Sequence, residues 1–539
     1  MNFWIERKLN TDALSLFQLR FFSKPSQQRK IQVAKCQRVL ILLLLVIGFS
    51  SPVSAFCPSG CSCDNVGLAV QCLSGRMDVV PILLNPGTIR LDLSHNRIKT
   101  ILPGFAFYHE LQVLNVSYNE IISLGESNFS SQKALSTLII RNNKISKLEG
   151  RAFVGLSSLS HFDASNNYIE SIHSDTFNHI SKLEILDLSG NRIKTLSSKV
   201  FQNLTSLKSL DLCQNLLIDL PDKLFDSLSQ LDQLLLCSNE IQVITNNNFM
   251  NLRRLSYLSF QGNQISNISN EAFSGLENLA YLTLHGNALQ AIPTTQMLSI
   301  GNLEELNLSL NFIAAISANS FDPINKLKRL SISQCSNLST IDLHAFASLN
   351  SLRYLELNFN PILVNLNVEA LRPLFELRKL ILRGNGIKTI SDTLLKIGRL
   401  QYIDLRDNEF ECGCSLKWLQ SASVNKSLGL VIEDVLCSSP ENLKGRSISS
   451  MTDYDLECYG LLITIAICAA GFLTTLFFLG IAFIIYYKNC RKMKTLVHDN
   501  WPDKIVTTWR EADYQKQIED DEYTFHSLRG IHHIPVTVI

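Results

Sequence analysis

The chain has 539 residues, 46% of them hydrophobic and 18% charged, and its formal net charge is +1. Near-neutrality gives no overall pull toward nucleic acid. The 11 histidines are dispersed, no glycine-rich phosphate loop occurs, and the acidic residues follow a repeat instead of a site, so no enzyme, cofactor or metal is expected.

In chain order, the first feature is the apolar run Val39 to Phe49, which follows Arg38 and leads to the small-residue pattern Val53-Ser54-Ala55. This reads as a secretory signal over residues 1–55 with a long leading segment, Met1 to Gln37. The rival reading is an uncleaved anchor. A span needs about 20 apolar residues, and this run breaks at Ser50-Ser51-Pro52.

Residues 56–87 hold the cluster Cys57, Cys61, Cys63 and Cys72. A second cluster, Cys412, Cys414, Cys437 and Cys458, falls in residues 409–458. Such clusters bind zinc in the cytosol and pair as disulfides outside it. The signal favours disulfides.

Between the clusters, residues 88–408 repeat one phrase fourteen times, leucine-x-x-leucine-x-leucine-x-x-asparagine. The asparagine slot reads Asn96, Asn119, Asn143, Asn167, Asn191, Asn215, Asn239, Asn263, Asn287, Asn311, Cys335, Asn360, Asn385 and Asn408, with a spacing of 24 from Asn119 to Cys335. A register held that long means a solenoid. In a unit such as Leu183, Leu186, Leu188 and Asn191, the leucines alternate along a short strand and point inward. The asparagine amide satisfies backbone groups where the chain leaves the strand, so stacked copies make a ladder. Ten residues past the slot stands Phe129, Phe153, Phe177, Phe201, Phe225, Phe249, Phe273 or Phe321, with Met297 filling the place once. One unit buries too little to offset its own backbone entropy, so the units must stack and both ends must be capped.

Phrase and period together resemble the leucine-rich repeat. The resemblance implies an α/β solenoid, a right-handed horseshoe with a concave parallel β-sheet. The cysteine clusters resemble the flanking modules of extracellular leucine-rich repeat proteins, through Cys57-x3-Cys61-x-Cys63-x8-Cys72 and through Asn408, Phe410, Cys412, Cys414, Leu416, Trp418 and Leu419. By that resemblance Cys57 pairs with Cys63, Cys61 with Cys72, Cys412 with Cys437, and Cys414 with Cys458.

Cys335, in an asparagine slot, is expected to be a buried inert thiol. Cys213 and Cys237 occupy equivalent places on adjacent strands about 4.8 Å apart, within disulfide range. Parallel in-register side chains rarely present the right dihedral, so separate thiols are the favoured expectation. Sequons at Asn115, Asn128, Asn203, Asn267, Asn307, Asn337 and Asn425 suit an extracellular location.

Leu461 to Ile485 is uncharged and apolar, long enough for a single transmembrane helix within residues 459–487. Tyr486 and Tyr487 mark an interface, and Lys488, Arg491, Lys492 and Lys494 place the following side in the cytoplasm. The expected topology is type I in the plasma membrane, with the N-terminus outside. The tail, residues 488–539, is too short for a kinase, phosphatase or Toll-type signalling domain. Its end, with Thr537 two places before Ile539, suits a PDZ-type groove. Tyr523 follows an acidic run and looks like a kinase substrate, while a solvated acidic stretch is the blander account.

The x positions of the strands are the surface left free to vary. Asp163, Asp187 and Asp211 form an acidic stripe, while Tyr257 and Tyr281 are neighbours with Gln261 and His285 beside them. Farther on the face turns basic through Lys328, Arg329, Arg353, Arg378, Lys379, Arg383 and Arg406. Glycans at Asn115 and Asn307 would fence off the strands between them, which marks the third to ninth repeats as the expected contact region.

This plan resembles the transmembrane leucine-rich repeat adhesion proteins, most of all the capricious and tartan group of insect cell-surface proteins. The resemblance implies cell adhesion or target recognition through an extracellular protein ligand or cell-surface protein, with homophilic binding one option. Two alternatives stand beside it. One is a receptor or co-receptor for a soluble ligand, as Toll-like receptors are; the other is a matrix- or glycan-binding protein whose basic repeats hold an acidic glycan.

Overall fold

The computed structural model describes residues 57–500, apart from 65, 74, 102, 426–428 and 459. The chain divides into two units, one ending at Ser450 and one beginning at Met451. The first is built on a 17-stranded sheet. Its core is a parallel stack of three-residue strands, one per repeat, running from Arg90–Asp92 through Ile185–Asp187 to Tyr402–Asp404. Every strand pairs in register with the next, so Leu186 lies beside Leu210, Leu210 beside Leu234, and Leu234 beside Leu258. The central side chain of each strand points inward and is buried. Its two neighbours point out, because side chains alternate along a strand.

The asparagine slot holds the stack together as expected. Asn167 donates through Nδ2 to the carbonyls of Ala164 and Ser165 in its own turn, at 3.0 and 3.3 Å, and to Ile140 of the preceding repeat at 3.1 Å. Its Oδ1 accepts from the Ile145 N–H at 3.1 Å. Asn191, Asn215 and Asn239 repeat the pattern. Cys335 is fully buried, and burial pushes its thiol pKa up. Its Sγ lies 3.7 and 3.8 Å from the Ser333 and Leu308 carbonyls, a weak substitute for an amide.

The residue before each slot is left-handed, whatever its type. His95 (φ 57), Tyr118 (54), Leu310 (56) and Phe359 (52) share this conformation with Gly190, Gly262, Gly286 and Gly384. The turn aims the N–H of this residue at the next repeat, as in Tyr118 N–H to the Arg141 carbonyl and Gly262 N–H to that of His285. These bonds extend the sheet ladder past the strand's end and offset a conformational cost of about 1–2 kcal/mol per non-glycine residue.

The returning segments are turns, short 3-10 helices and two-residue strands such as Lys147–Leu148 paired with Ser171–Ile172. Beneath them the phenylalanines stack: Phe153, Phe177, Phe201, Phe225 and Phe249 have successive centroids 5.7 to 6.4 Å apart. Phe105 and Phe346 extend this spine at its two ends. Met297 is buried in its place.

An antiparallel hairpin, Ser62–Asp64 with Ala69–Gln71, covers the first repeat, and Val431–Ile432 covers the last strand. The helix Lys417–Val424 closes the C-terminal end, with Trp418 Nε1 donating to the Ile390 carbonyl at 3.1 Å. Disulfides join Cys57 to Cys63, Cys61 to Cys72, and Cys412 to Cys437. Two expectations need correction. Cys414, expected to bond Cys458, carries an exposed thiol: it starts the 3-10 turn Cys414–Leu416, whose buried residue is Leu416, so its own side chain faces out. Cys213 and Cys237, expected as separate thiols, are bonded. The in-register stack brings their Cα atoms to 4.4 Å, and each cysteine lies two residues past the end of its strand, outside the pleat that constrains side chains inside the sheet.

In the second unit the helix Gly460–Asn500 contains one stretch, Ile463–Lys492, long and apolar enough to cross a membrane, with none of it buried. Residues 1–55, with the expected signal, and Tyr523, Thr537 and Ile539 lie outside the described residues.

Candidate functional site: the outer face of the concave sheet

The structure brings the acidic stripe together. Asp163 pairs in register with Asp187, and Asp187 with Asp211. Each has a backbone task that sequence reasoning missed. Oδ1 of Asp163, Asp187 and Asp211 accepts from the N–H two residues on, at 3.0, 2.8 and 2.8 Å, an Asx turn that ends the strand. Asn115 and Asn307 do the same work at 3.0 Å without charge. Ile139 and Leu235 stand at that place in other repeats. The turn therefore accounts for an acceptor there but not for three consecutive negative charges. Among the described residues, none of the three meets a cation.

Burial pushes the Asp211 carboxyl up to about 6, with repulsion from Asp187 adding to it and the Cys213 N–H opposing. A carboxyl whose folded pKa is raised prefers its proton in the folded state. Stability should therefore fall as pH rises from the ordinary value of 3.8 through about 6. Carboxyl NMR should show Asp211 titrating near 6, and Asp187→Asn should lower that midpoint. Asp211→Asn, which keeps the acceptor, should raise the denaturation midpoint at pH 7.5, and the gain should shrink as pH drops through 6.

Tyr257 and Tyr281 are in register, exposed, with ring centroids 6.1 Å apart. Gln261 and His285 follow on the same two strands' ends; Gln261 is exposed and His285 half-buried. His285 Nδ1 is buried without a hydrogen-bond partner, and burial lowers the imidazole pKa.

The basic stretch is less basic than its sequence. Lys328 bonds Glu304, Arg329 bonds Glu305, Arg383 bonds Asp407, and Arg406 bonds Asp404. Arg353 and Arg378 are exposed just before two adjacent strands and have no carboxylate partner among the described residues; Lys379 lies over the rings of Tyr354 and Tyr402.

The sequons differ in setting. Asn267 and Asn337 are exposed on the returning side, and Asn425 is exposed at the end of the cap helix. Asn115, Asn203 and Asn307 are half-buried, Asn203 Nδ2 donating to Asn178. Asn128 Nδ2 is occupied by the Ile101 and Leu124 carbonyls at 2.6 and 2.8 Å.

Residues 109–169, 164–217, 181–236, 205–265, 229–289, 278–336 and 301–362 match the family model for the leucine rich repeat. With the ladder and the stacked sheet, this gives the first unit the fold of a leucine-rich repeat solenoid. It is similar to human Reticulon-4 receptor-like 2, 31% identical over 20% of this chain and 25% of that one. Rat Amphoterin-induced protein 2 is 31% identical over 22% of this chain and 23% of the relative. Bovine Leucine-rich repeat-containing protein 3B is 34% identical over 20% and 41%. The matches thus span between about a quarter and two-fifths of the relatives' lengths. Among solved structures, the Toll–Spatzle complex of Drosophila is 22% identical with a TM-score of 0.58, covering 68% of this chain and 54% of that one. A Leptospira interrogans leucine-rich repeat protein is 25% identical with a TM-score of 0.52, covering 66% and 81%.

Proposed function

We propose that this chain is a single-pass type I cell-surface protein that recognises another extracellular protein through the outer face of its concave sheet, in adhesion or target choice. The observation that carries the reading is the unneutralised stripe Asp163, Asp187 and Asp211 on the same sheet as the exposed pair Tyr257 and Tyr281. Tyrosine is a favoured interface anchor, and unpaired charges choose and orient partners. Capped ends, sequons and the exposed apolar helix support a location outside the cell with one membrane anchor. The resemblance to the capricious and tartan group belongs to this reading, as does a PDZ-type partner at Thr537 to Ile539. The glycan-binding alternative is weakened, because four of the seven basic side chains are already paired within the solenoid.

Cells displaying the full chain, mixed with blank cells and screened against a surface-protein library, should bind a partner. Tyr257→Ala with Tyr281→Ala should weaken that binding at least about 30-fold, from about 2 kcal/mol at a hot-spot pair, with display level unchanged. No binding at all would remove the reading, and lost display would assign the tyrosines to the fold.

A further inference from the structure

Among the described charges of this sheet that lack an ion-pair partner are two rows of opposite sign. Asp163 and Asp187 occupy the fourth and fifth repeat strands, and Arg353 and Arg378 precede the core of the twelfth and thirteenth. Each pair lies on consecutive strands: Asp163 is in register with Asp187, and the Arg378 N–H donates to the Arg353 carbonyl at 2.9 Å. Both rows therefore have the same pitch, about 4.8 Å. Halfway between them fall the eighth and ninth strands, which carry Tyr257 and Tyr281.

A two-fold axis through that midpoint has a definite consequence. It sets the fourth strand of one chain against the thirteenth of the other, the fifth against the twelfth, and the eighth against the ninth. Asp163 then faces Arg378, Asp187 faces Arg353, Asp211 on the sixth strand faces the Lys328–Arg329 strand, and tyrosine faces tyrosine. A two-fold interface must be self-complementary, each contact occurring twice. The aspartate and arginine rows meet that condition in sign and in spacing along the stack, while Asp232, just before the seventh strand, falls opposite Glu304 and Glu305, whose charges are bonded to Lys328 and Arg329.

We infer that the partner is a second copy of this chain, bound antiparallel through the concave face about a two-fold axis between Tyr257 and Tyr281. The inference rests on the recognition reading above and names its ligand. Antiparallel pairing puts the two C-terminal caps at opposite ends of the complex, as chains on facing membranes require. It also supplies cations to a carboxylate stripe that has none within its own chain. A glycan on Asn307, on the tenth strand, would stand inside this interface and oppose it.

The test uses full chains displayed on two dyed cell populations, all carrying Asn307→Thr, which removes the sequon and installs the residue that Thr283 provides one strand earlier. One variant is Asp163→Lys with Asp187→Lys, at a column that elsewhere accepts Ile139 and Leu235. The other is Arg353→Glu with Arg378→Glu, both exposed. Each variant alone should lose self-aggregation at least tenfold, because reversed charges then face like charges twice. Mixed together, the two should aggregate again, since every contact between them is complementary, and a chain carrying all four changes should recover self-aggregation. Failure of the mixture and the fourfold chain to recover, at normal display, would overturn the inference, as would unchanged aggregation of the single variants. If the parent binds other cells but not itself, the inference falls and the recognition reading stands; if it binds nothing, both fall.

Discussion

Replacing Asn167 with leucine should destabilise the solenoid by about 3–6 kcal/mol, far more than an ordinary substitution. The side chain is nearly inaccessible, and it holds the carbonyls of Ile140, Ala164 and Ser165 together with the Ile145 N–H. Leucine fills the space but makes none of these bonds. Several buried backbone groups would be left unsatisfied, at about 1–3 kcal/mol for each group that water cannot reach. Because each repeat touches only its neighbours, the break falls at one interface and splits the stack's cooperativity. Denaturant titration should show a lower midpoint and a broader transition, and hydrogen exchange should accelerate around Ile145. If the slot only filled space, as the tolerance of Cys335 would suggest taken alone, leucine would be neutral.

How much of this was readable beforehand depends on what repeats in the sequence. The asparagine ladder and most of the phenylalanine spine were visible because residue type and position recur together. Phe105 and Phe346 were not, since they stand nine and eleven residues past their slots instead of ten. The left-handed residue was hidden for the opposite reason: its position recurs but its type does not, with Tyr118, Leu310 and Phe359 forced into a turn that the flanking hydrogen bonds impose. The glycines at 190, 262, 286 and 384 carried the signal, and Asn142, Asn166 and Asp407 carried it more weakly.

The candidate site shows the same division. The aspartate and tyrosine columns were legible because strand alternation fixes which way they point. Their second roles were not, as the Asx turns emerge only when the N–H two residues on is seen to aim at Oδ1. The basic stretch reads as more strongly charged than it is because three of the four carboxylates that neutralise it, such as Glu304 for Lys328, stand one repeat away in sequence and one strand away in space. The Cys213–Cys237 bond turned on a 4.4 Å approach that a period of 24 allows but does not specify.

Gly275→Val should be among the most damaging single changes, about 4 kcal/mol or more, of the size reserved for strain and overpacking. Gly275 has φ +90, and a Cβ there would overlap the backbone of Met250 in the preceding repeat. Gly155 stands at the equivalent place, with φ +99 and the backbone of Phe129 and Ser130 against it. In both, the obstacle is main chain, which cannot swing aside as a side chain does. Relief would require the repeats to separate, exposing the phenylalanine spine on both sides. The control is Gly413→Ala, at extended backbone with nothing within 4 Å of the added carbon, which should stay within about 0.5 kcal/mol of the parent. Surface display and denaturation midpoint measured side by side would separate the two. A tolerated valine at 275 would mean that the stack yields at that interface, and the tight contact between returning segments would then hold the solenoid less firmly than the ladder does.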